Sequence, residues 1–234
     1  MTTVAVIPAR GGSKRIPRKN IREFSGKPIV AYSIDAAIKS GLFDRVIVST
    51  DDEEIAEVSI KLGAEIPFMR PAELADDFTG TNAVTRQAIQ WLNEHDAKVD
   101  FACCIYATAP FIQVRYLQEG HQKLLASGKS FVFSVTSFPF PIQRAIWIND
   151  AGEVMAFHPE NYYVRSQDLQ EAYHDAGQFY WGTADAFLKD EIPFSPVSLP
   201  VVLPRHLVQD IDTPEDWVRA EYMYRVLQET GELA

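Results

Sequence analysis

The sequence predicts an α/β fold, a mostly parallel sheet covered by helices on both faces, with a β-rich arm inserted late in the chain. Three observations carry this. Short apolar runs alternate with stretches of helical period over the first half of the chain; those helical stretches stop at Gly41, Gly63 and Gly128; and between Phe138 and Gln170 the helical period gives way to Phe-Pro-Phe-Pro, a turn and paired tyrosines. With 234 residues, 47% of them hydrophobic, one core with one insertion is expected, a single domain over residues 1–234.

Val4 to Pro8 reads as a buried first strand. Pro28 then opens a pattern of Val30, Ile34, Ala37 and Ile38 that marks one helical face and ends at Gly41, because a residue that tolerates positive φ readily closes a helix. Arg45 to Ser49 is the second strand, and a helix through Ile55, Val58 and Leu62 stops at Gly63. Glu65 to Met69 is expected as a short strand. Val84, Ala88, Trp91 and Leu92 share a helical face, Phe101 to Tyr106 is a buried strand, and Val114 to Ser127 is a helix ahead of the β-rich run Phe131 to Phe138. Residues 138–170 form the arm, with a hairpin expected around Asp150-Ala151-Gly152. Its residues suit a subunit contact and a local lid equally. The chain returns through strand-like Gln178 to Trp181 and Val197 to Leu203, and a last helix runs through Trp217, Ala220, Tyr224 and Leu227.

Composition narrows the function. A net charge of -10 repels nucleic-acid backbones and anionic lipid. No apolar run nears the roughly 20 residues that cross a bilayer, and Val4 to Ile7 is too short for a signal peptide. The expectation is therefore a cytoplasmic protein with no nucleic-acid or membrane partner. Cys103 and Cys104 adjoin in an apolar run, which suits buried reduced thiols without chemistry.

An anionic small substrate would need a local basic pocket, and the segment after the first strand offers one. Ile7-Pro8-Ala9-Arg10-Gly11-Gly12-Ser13-Lys14-Arg15 is followed by Lys19-Asn20 ahead of the first helix. Gly11 and Gly12 let backbone N–H groups turn toward an anion, while Arg10, Lys14 and Lys19 supply charge to neutralise a triphosphate. The plain alternative is a solvated basic loop. Neither G-x-G-x-x-G nor G-x-x-x-x-G-K-[ST] is present, which disfavours a dinucleotide dehydrogenase and a P-loop enzyme.

Near the other end, Asp210 and Asp212 flank Ile211, so in extended backbone both carboxylates point to one side and together favour a hard cation such as Mg²⁺. The same residues read equally as a helix cap, since Asp212-Thr213-Pro214-Glu215 places proline in a first turn. Asp51-Asp52 poses that choice again, and there capping of the following helix is the favoured reading.

The run from Ile7 to Asn20 resembles the N-terminal signature of CMP-sugar synthetases, the cytidylyltransferases that activate sialic acids and related sugars. The resemblance continues through Ser49-Thr50-Asp51, Arg70-Pro71, Ala107-Thr108-Ala109-Pro110, Gly177-Gln178 and Asp210-Ile211-Asp212. It implies a Rossmann-like nucleotidyltransferase fold and CTP as co-substrate. It further implies that Ala9, Arg10, Ser13, Lys14, Lys19 and Asn20 hold the triphosphate and that Arg70 and Thr81 lie beside the cytidine. Asp210 and Asp212 would bind Mg²⁺. Arg10, Lys14 and the metal would stabilise charge at the reacting phosphate, with Asp212 the candidate proton acceptor.

Where relatives acting on sialic acid carry Gln-Pro-Thr-Ser-Pro-Leu-Arg, this chain has Tyr106-Ala107-Thr108-Ala109-Pro110-Phe111-Ile112. Replacing an amide by the aromatic Tyr106 and a cation by Ile112 suits a less hydroxylated acceptor, because a site built to pair with hydroxyls penalises a sugar lacking them. The wording is most similar to the branch of the family acting on pseudaminic acid. N-acetylneuraminic, legionaminic and deoxy-octulosonic acids are the alternative acceptors. A non-catalytic nucleotide-binding protein is the alternative of another class, against which the retained aspartates argue. Tyr106, Thr108 and Gln178 are the candidate acceptor contacts. Arg165 aligns with a family arginine that reaches the site from the arm, often across the interface of a homodimer.

Overall fold

The structure is a computed structural model that describes residues 1–233. In chain order the elements are β1 (Thr3–Pro8), a small ladder of β2 (Glu23–Phe24) with β3 (Lys27–Pro28), α1 (Val30–Ser40), β4 (Arg45–Ser49), α2 (Glu53–Lys61), α3 (Thr81–His95), β5 (Phe101–Ile105), α4 (Val114–Ser127), β6 (Phe131–Ser137), β7 (Ile146–Ile148), β8 (Val154–Ala156), β9 (Tyr173–Thr183), α5 (Ala184–Leu188), β10 (Ser198–Val202) and α6 (Pro214–Glu229). Gly41 and Gly128 take left-handed φ at the ends of α1 and α4, as the sequence pattern requires.

Six strands form one sheet in the order β10-β6-β9-β5-β1-β4. β1 pairs in parallel with β4 and β5, and β10 with β6. Only β9 runs against its neighbours, β5 and β6. The arm explains that exception: it carries the chain off the end of β6 and straight back, and an antiparallel return needs no crossover helix. Successive residues of β1 serve opposite faces. Ala5 and Ile7 pack with Val30, Ile34 and Leu117 beneath α1 and α4, while Val4 and Val6 pack with Ala88, Leu92 and Phe187 beneath α3 and α5. A third cluster seats α6 through Trp217, Ala220 and Tyr224 against Phe24, Tyr32 and Ile211.

Two sequence expectations require correction. Glu65 to Met69 makes only a single bridge, Ile47 to Glu65, because Pro67 has no N–H to extend a ladder. The strand expected at Gln178 to Trp181 spans Tyr173–Thr183, and the short helix α5 follows it unannounced, capped by the Thr183 hydroxyl accepting from the Ala186 N–H at 3.2 Å. The arm hairpin stands where expected, with Gly152 at φ 79 in its turn. Every residue of β7 and β8 is exposed. Among the described residues no helix is long and apolar enough to cross a membrane.

Candidate active site

The loop that leaves β1 is held from behind by two aspartates. The Gly11 N–H donates to Asp51 Oδ1 at 2.9 Å, and a Cβ on Gly11 would sit 2.7 Å from Asp52 Oδ2 and 2.9 Å from Asp52 Cβ, so only glycine fits. Asp52 is the N-cap of α2, accepting from the Ile55 N–H at 3.0 Å, which bears out the capping reading. Arg18 pairs with the same carboxylate at 2.5 Å and holds it below the usual carboxylate range.

In front of the loop lies a cavity of about 460 Å³. Arg10, Ser13, Lys14, Arg15, Lys19 and Asn20 form one wall; Arg70, Asp77, Thr79 and Thr81 another; Tyr106, Ala107 and Thr108 a third; and Asp212 reaches in from the far end of the chain. Lys19 Nζ donates to Ile211 O at 2.8 Å and stands 3.5 Å from Asp212 Oδ1, while Arg15 pairs with Asp212 Oδ2 at 2.9 Å. The front cations and the tail carboxylate, 193 positions apart for Lys19 and Asp212, thus share one cavity. Asn20 is buried and its Nδ2 donates to Arg10 O at 2.9 Å, which fixes the loop at the residue expected to meet phosphate. Arg70 is only 6% exposed and is anchored by Nε donating to Ser49 Oγ at 3.1 Å. Burial lowers its pKa to about 10, with Asp51 opposing the shift, so it stays charged at neutral pH.

Sequence reasoning missed a carboxylate in this cavity. Asp77 accepts from Arg10 Nη1 and Lys14 Nζ, each at 2.5 Å, and the Asp76 carbonyl accepts from Arg10 Nη1 at 2.9 Å. Lys14 and then Arg10 hold the Asp77 carboxyl below its usual range. The strap bearing it is folded on itself by the Asp76 carboxylate, which accepts from the N–H groups of Phe78 and Thr79 at 3.0 and 2.6 Å. The available signal was the Asp-Asp pair lying just ahead of a helix in an otherwise loop-like stretch.

A second cleft, of about 780 Å³, shares Tyr106 with the first. Asp210, Thr136, Asp175, Arg205 and Arg219 line it. Tyr106 is therefore a partition, stacked on Tyr180, which stacks in turn on Phe133 at 4.9 Å between centroids. Burial pushes both tyrosine hydroxyls up, so both stay protonated donors. Ile211 is fully buried between the two aspartates. Burial and then the charge of Asp212 raise the Asp210 pKa, as expected for neighbouring carboxylates.

The helix-cap reading of Asp212 is corrected by α6 itself. Its cap is Thr213, whose Oγ1 accepts from the Asp216 N–H at 3.2 Å while the Asp216 carboxylate accepts from the Thr213 N–H at 2.8 Å. Both aspartates are thereby spared for the site. Among the described residues no group of three or more His, Cys, Asp or Glu side chains could hold a metal. Two hard carboxylates without a third nonetheless fit Mg²⁺, which keeps several waters and takes substrate phosphate oxygens in place of an all-protein cage.

Three expected contacts lie elsewhere. Ala9 is buried, lines neither cavity and gives its N–H to Ser49 O at 2.9 Å, a sheet-edge bond that leaves no donor for phosphate. Gln178 is 3% exposed, and its Nε2 donates to Leu207 O at 2.6 Å beneath the second cleft instead of facing into it. Arg165 stays on the arm in a two-point pair with Asp168, at 2.7 and 3.0 Å, and lines neither cavity of its own chain. Thr81, Tyr106 and Thr108 do line the first cavity. The cysteines are fully buried, and burial pushes the Cys104 thiol up to about 11, so neither is a nucleophile.

Comparison with known proteins agrees with this architecture. A family model described as cytidylyltransferase matches residues 4–194. The chain is 47% identical over 231 residues to the pseudaminic acid cytidylyltransferase of Campylobacter jejuni, spanning 99% of this chain and 100% of that one. It is 31% identical over 236 residues to the CMP-N,N'-diacetyllegionaminic acid synthase of Legionella pneumophila, spanning 98% and 99%. A solved CMP:2-keto-3-deoxy-manno-octonic acid synthetase complexed with CTP superposes with a TM-score of 0.68 over 96% of this chain and 99% of that one; at 17% identity it speaks for the fold alone. A basic loop and a distant carboxylate meeting in one cavity, a mostly parallel sheet, and near full-length similarity agree: the chain belongs to the cytidylyltransferase family.

Proposed function

We propose that the chain transfers CMP from CTP to the anomeric C2 hydroxyl of pseudaminic acid, releasing pyrophosphate. The observation that carries this is the pair of adjoining cavities, one basic and one flanked by Asp210, divided by Tyr106. Near full-length similarity to a pseudaminic acid cytidylyltransferase supports the choice of acceptor.

Arg10, Ser13, Lys14, Lys19 and Asn20 hold the triphosphate, and Arg70 with Thr81 sits beside the cytidine. The acceptor enters the second cleft against Tyr106, with Thr108 across the partition. The C2 oxygen attacks the α-phosphorus in line, a new O–P bond forms as the bond to the β-phosphate oxygen breaks, and the hydroxyl proton leaves toward Asp212. Arg10 and Lys14 stabilise charge on the phosphoryl oxygens and the leaving pyrophosphate, which is where electrostatic preorganisation acts most strongly. Asp210 and Asp212 would hold Mg²⁺, which when bound supplies further neutralisation of phosphate charge.

The test is pyrophosphate release from CTP with a panel of nonulosonic acids. Turnover with pseudaminic acid well above that with N-acetylneuraminic, legionaminic and deoxy-octulosonic acids is expected. Equal or better turnover with another acid would reassign the acceptor, and no release with any would leave a nucleotide-binding protein.

Residues 138–170 serve as the dimerisation arm of a homodimer in this reading. The support is an unpartnered apolar surface that includes Ile146, Ile148, Val154 and Tyr163, the last 92% exposed. Arg165 rides on the same arm and would reach the neighbouring subunit's site. Sedimentation at micromolar concentration should give a dimer; a monomer would remove this assignment.

A further inference from the structure

The second cleft contains two guanidinium groups that form no salt bridge among the described residues. Seven charged or titratable side chains line it: Tyr106, His174, Asp175, Arg205, His206, Asp210 and Arg219. Asp175 is engaged, accepting from the Gly177 N–H at 2.9 Å, and its charge helps to raise the Tyr180 hydroxyl pKa. His206 pairs with Glu232 at 2.9 Å, and a ring nitrogen of His174 meets the Asp175 carbonyl at 2.8 Å. Asp210 feels the charge of Asp212, with which it is proposed above to hold Mg²⁺. Arg205 and Arg219 remain, both on the cleft wall and neither in a salt bridge among the described residues; the charge of Arg219 is felt by Asp216, whose carboxylate is committed to Thr213. In a chain of net charge -10 this is a local reversal of sign.

Both arginines stand on backbone that is fixed from beneath. Arg205 opens the single turn Arg205–Leu207, which buried polar side chains pin two residues before its start and at its last residue. Thr136 Oγ1 donates to Leu203 O at 2.9 Å, and Gln178 Nε2 donates to Leu207 O at 2.6 Å. Buried donors are costly to leave unpaired, so these two bonds hold the turn in one place. Arg219 stands two residues after buried Trp217 and next to buried Ala220, on a helix whose start is locked by Thr213 and Asp216. A guanidinium fork on a fixed base is suited to a carboxylate, which it can bind at two points.

We propose that Arg205 and Arg219 receive the C1 carboxylate of the acceptor acid, and that Gln178 acts as a positioning residue for Arg205. The carboxylate carbon is bonded directly to C2, so anchoring it orients the C2 hydroxyl toward the phosphorus across Tyr106. The same contact selects 2-keto acid sugars over neutral sugars. This rests on the transfer of CMP to an acidic sugar in the same site.

The experiment compares pseudaminic acid with its methyl ester at saturating CTP, in the wild type and in Arg205→Ala, Arg219→Ala and the double variant. The acid should exceed the ester in kcat/KM by about 10- to 100-fold in the wild type, the range of a charge-assisted contact. Each single substitution should raise the acceptor KM by roughly 10-fold with the CTP KM within about twofold, and the double variant should bring acid and ester close to parity. Gln178→Leu should move the acid-to-ester ratio in the Arg219→Ala background and leave it unmoved in the Arg205→Ala background, which a general loss of stability would not do. Arg205→Lys and Arg219→Lys keep the charge and should fall between; they and the wild-type ratio decide the matter if an alanine variant fails to bind CTP. A wild-type ratio near one, or a ratio unchanged in the double variant, overturns the carboxylate anchor alone. Absence of turnover with every nonulosonic acid overturns the functional reading beneath it.

Discussion

The two cavities that meet at Tyr106 are built in opposite ways. The first takes one wall from a continuous stretch, Arg10 to Asn20, and the cations of that stretch arrive with charges already engaged: Arg10 and Lys14 by Asp77, Lys19 and Arg15 by Asp212. The second is assembled from β6, β9, the turn before α6 and α6 itself, and its arginines form no salt bridge among the described residues. A triphosphate entering the first must therefore displace internal carboxylates, whereas an acidic sugar entering the second meets open positive charge. Affinity in the one is a competition and in the other a direct gain.

The sharpest way to break this contrast is at the boundary. Asp212→Asn should lower kcat by about 100- to 1000-fold, the scale of losing one preorganised charge at a reacting centre. Steady-state rates at saturating Mg²⁺ check it, and near-normal turnover would detach Asp212 from the chemistry. Arg10→Ala comes next, with an expected loss in kcat/KM for CTP of roughly 10- to 100-fold, read by initial rates. A smaller effect of opposite sign sharpens the competition argument. Asp77→Asn frees Arg10 and Lys14 from exposed ion pairs, so the CTP KM should fall by about 2- to 5-fold. A rise instead would mean that Asp77 orients those cations for the nucleotide.

The least effect falls behind the loop. Asp52→Ala removes the α2 cap and should cost about 1 kcal/mol of unfolding free energy at neutral pH, measured by urea denaturation; the solvent-screened pair with Arg18 adds little. Since Arg18 depresses the folded-state pKa of Asp52, the ionic part of this stability is complete above its unfolded value near 4 and is lost as pH falls through the folded value. The gap between wild type and variant should shrink accordingly in acid.

The same contrast governs what the sequence could reveal. Strand and helix ends were legible where one residue acts locally, as at Gly41, Gly128 and the Arg45–Ser49 strand. The first cavity was legible because Arg10, Ser13, Lys14, Lys19 and Asn20 lie in one segment after one strand. Asp77 escaped because its partners are 63 and 67 positions away. Arg205 and Arg219 escaped because nothing near either in sequence marks a cleft; they meet only through the register of β6 with β9 and the docking of α6. Gln178 shows the limit from the other side. A polar residue beside Gly177 near a strand end suggests a ligand contact, and only burial reveals that its amide is committed to Leu207. Ala9 misled for a similar reason, since a loop residue by pattern is still bonded to the sheet edge at Ser49.

β9 has a mechanical consequence. It begins at the root of the arm, where Tyr173, His174 and Asp175 pair with Ser137, Thr136 and Val135, and ends deep in the body, where Trp181 pairs with Cys103. One strand, bulged between Asp175 and Tyr180 where Gly177 takes φ 62, thus joins an exposed apolar surface to the floor of the acceptor cleft. A load placed on the arm by a binding neighbour would be transmitted along that strand to Asp175 and Gln178. Excision of the arm would therefore spare the cleft only if the splice kept those three pairs in step.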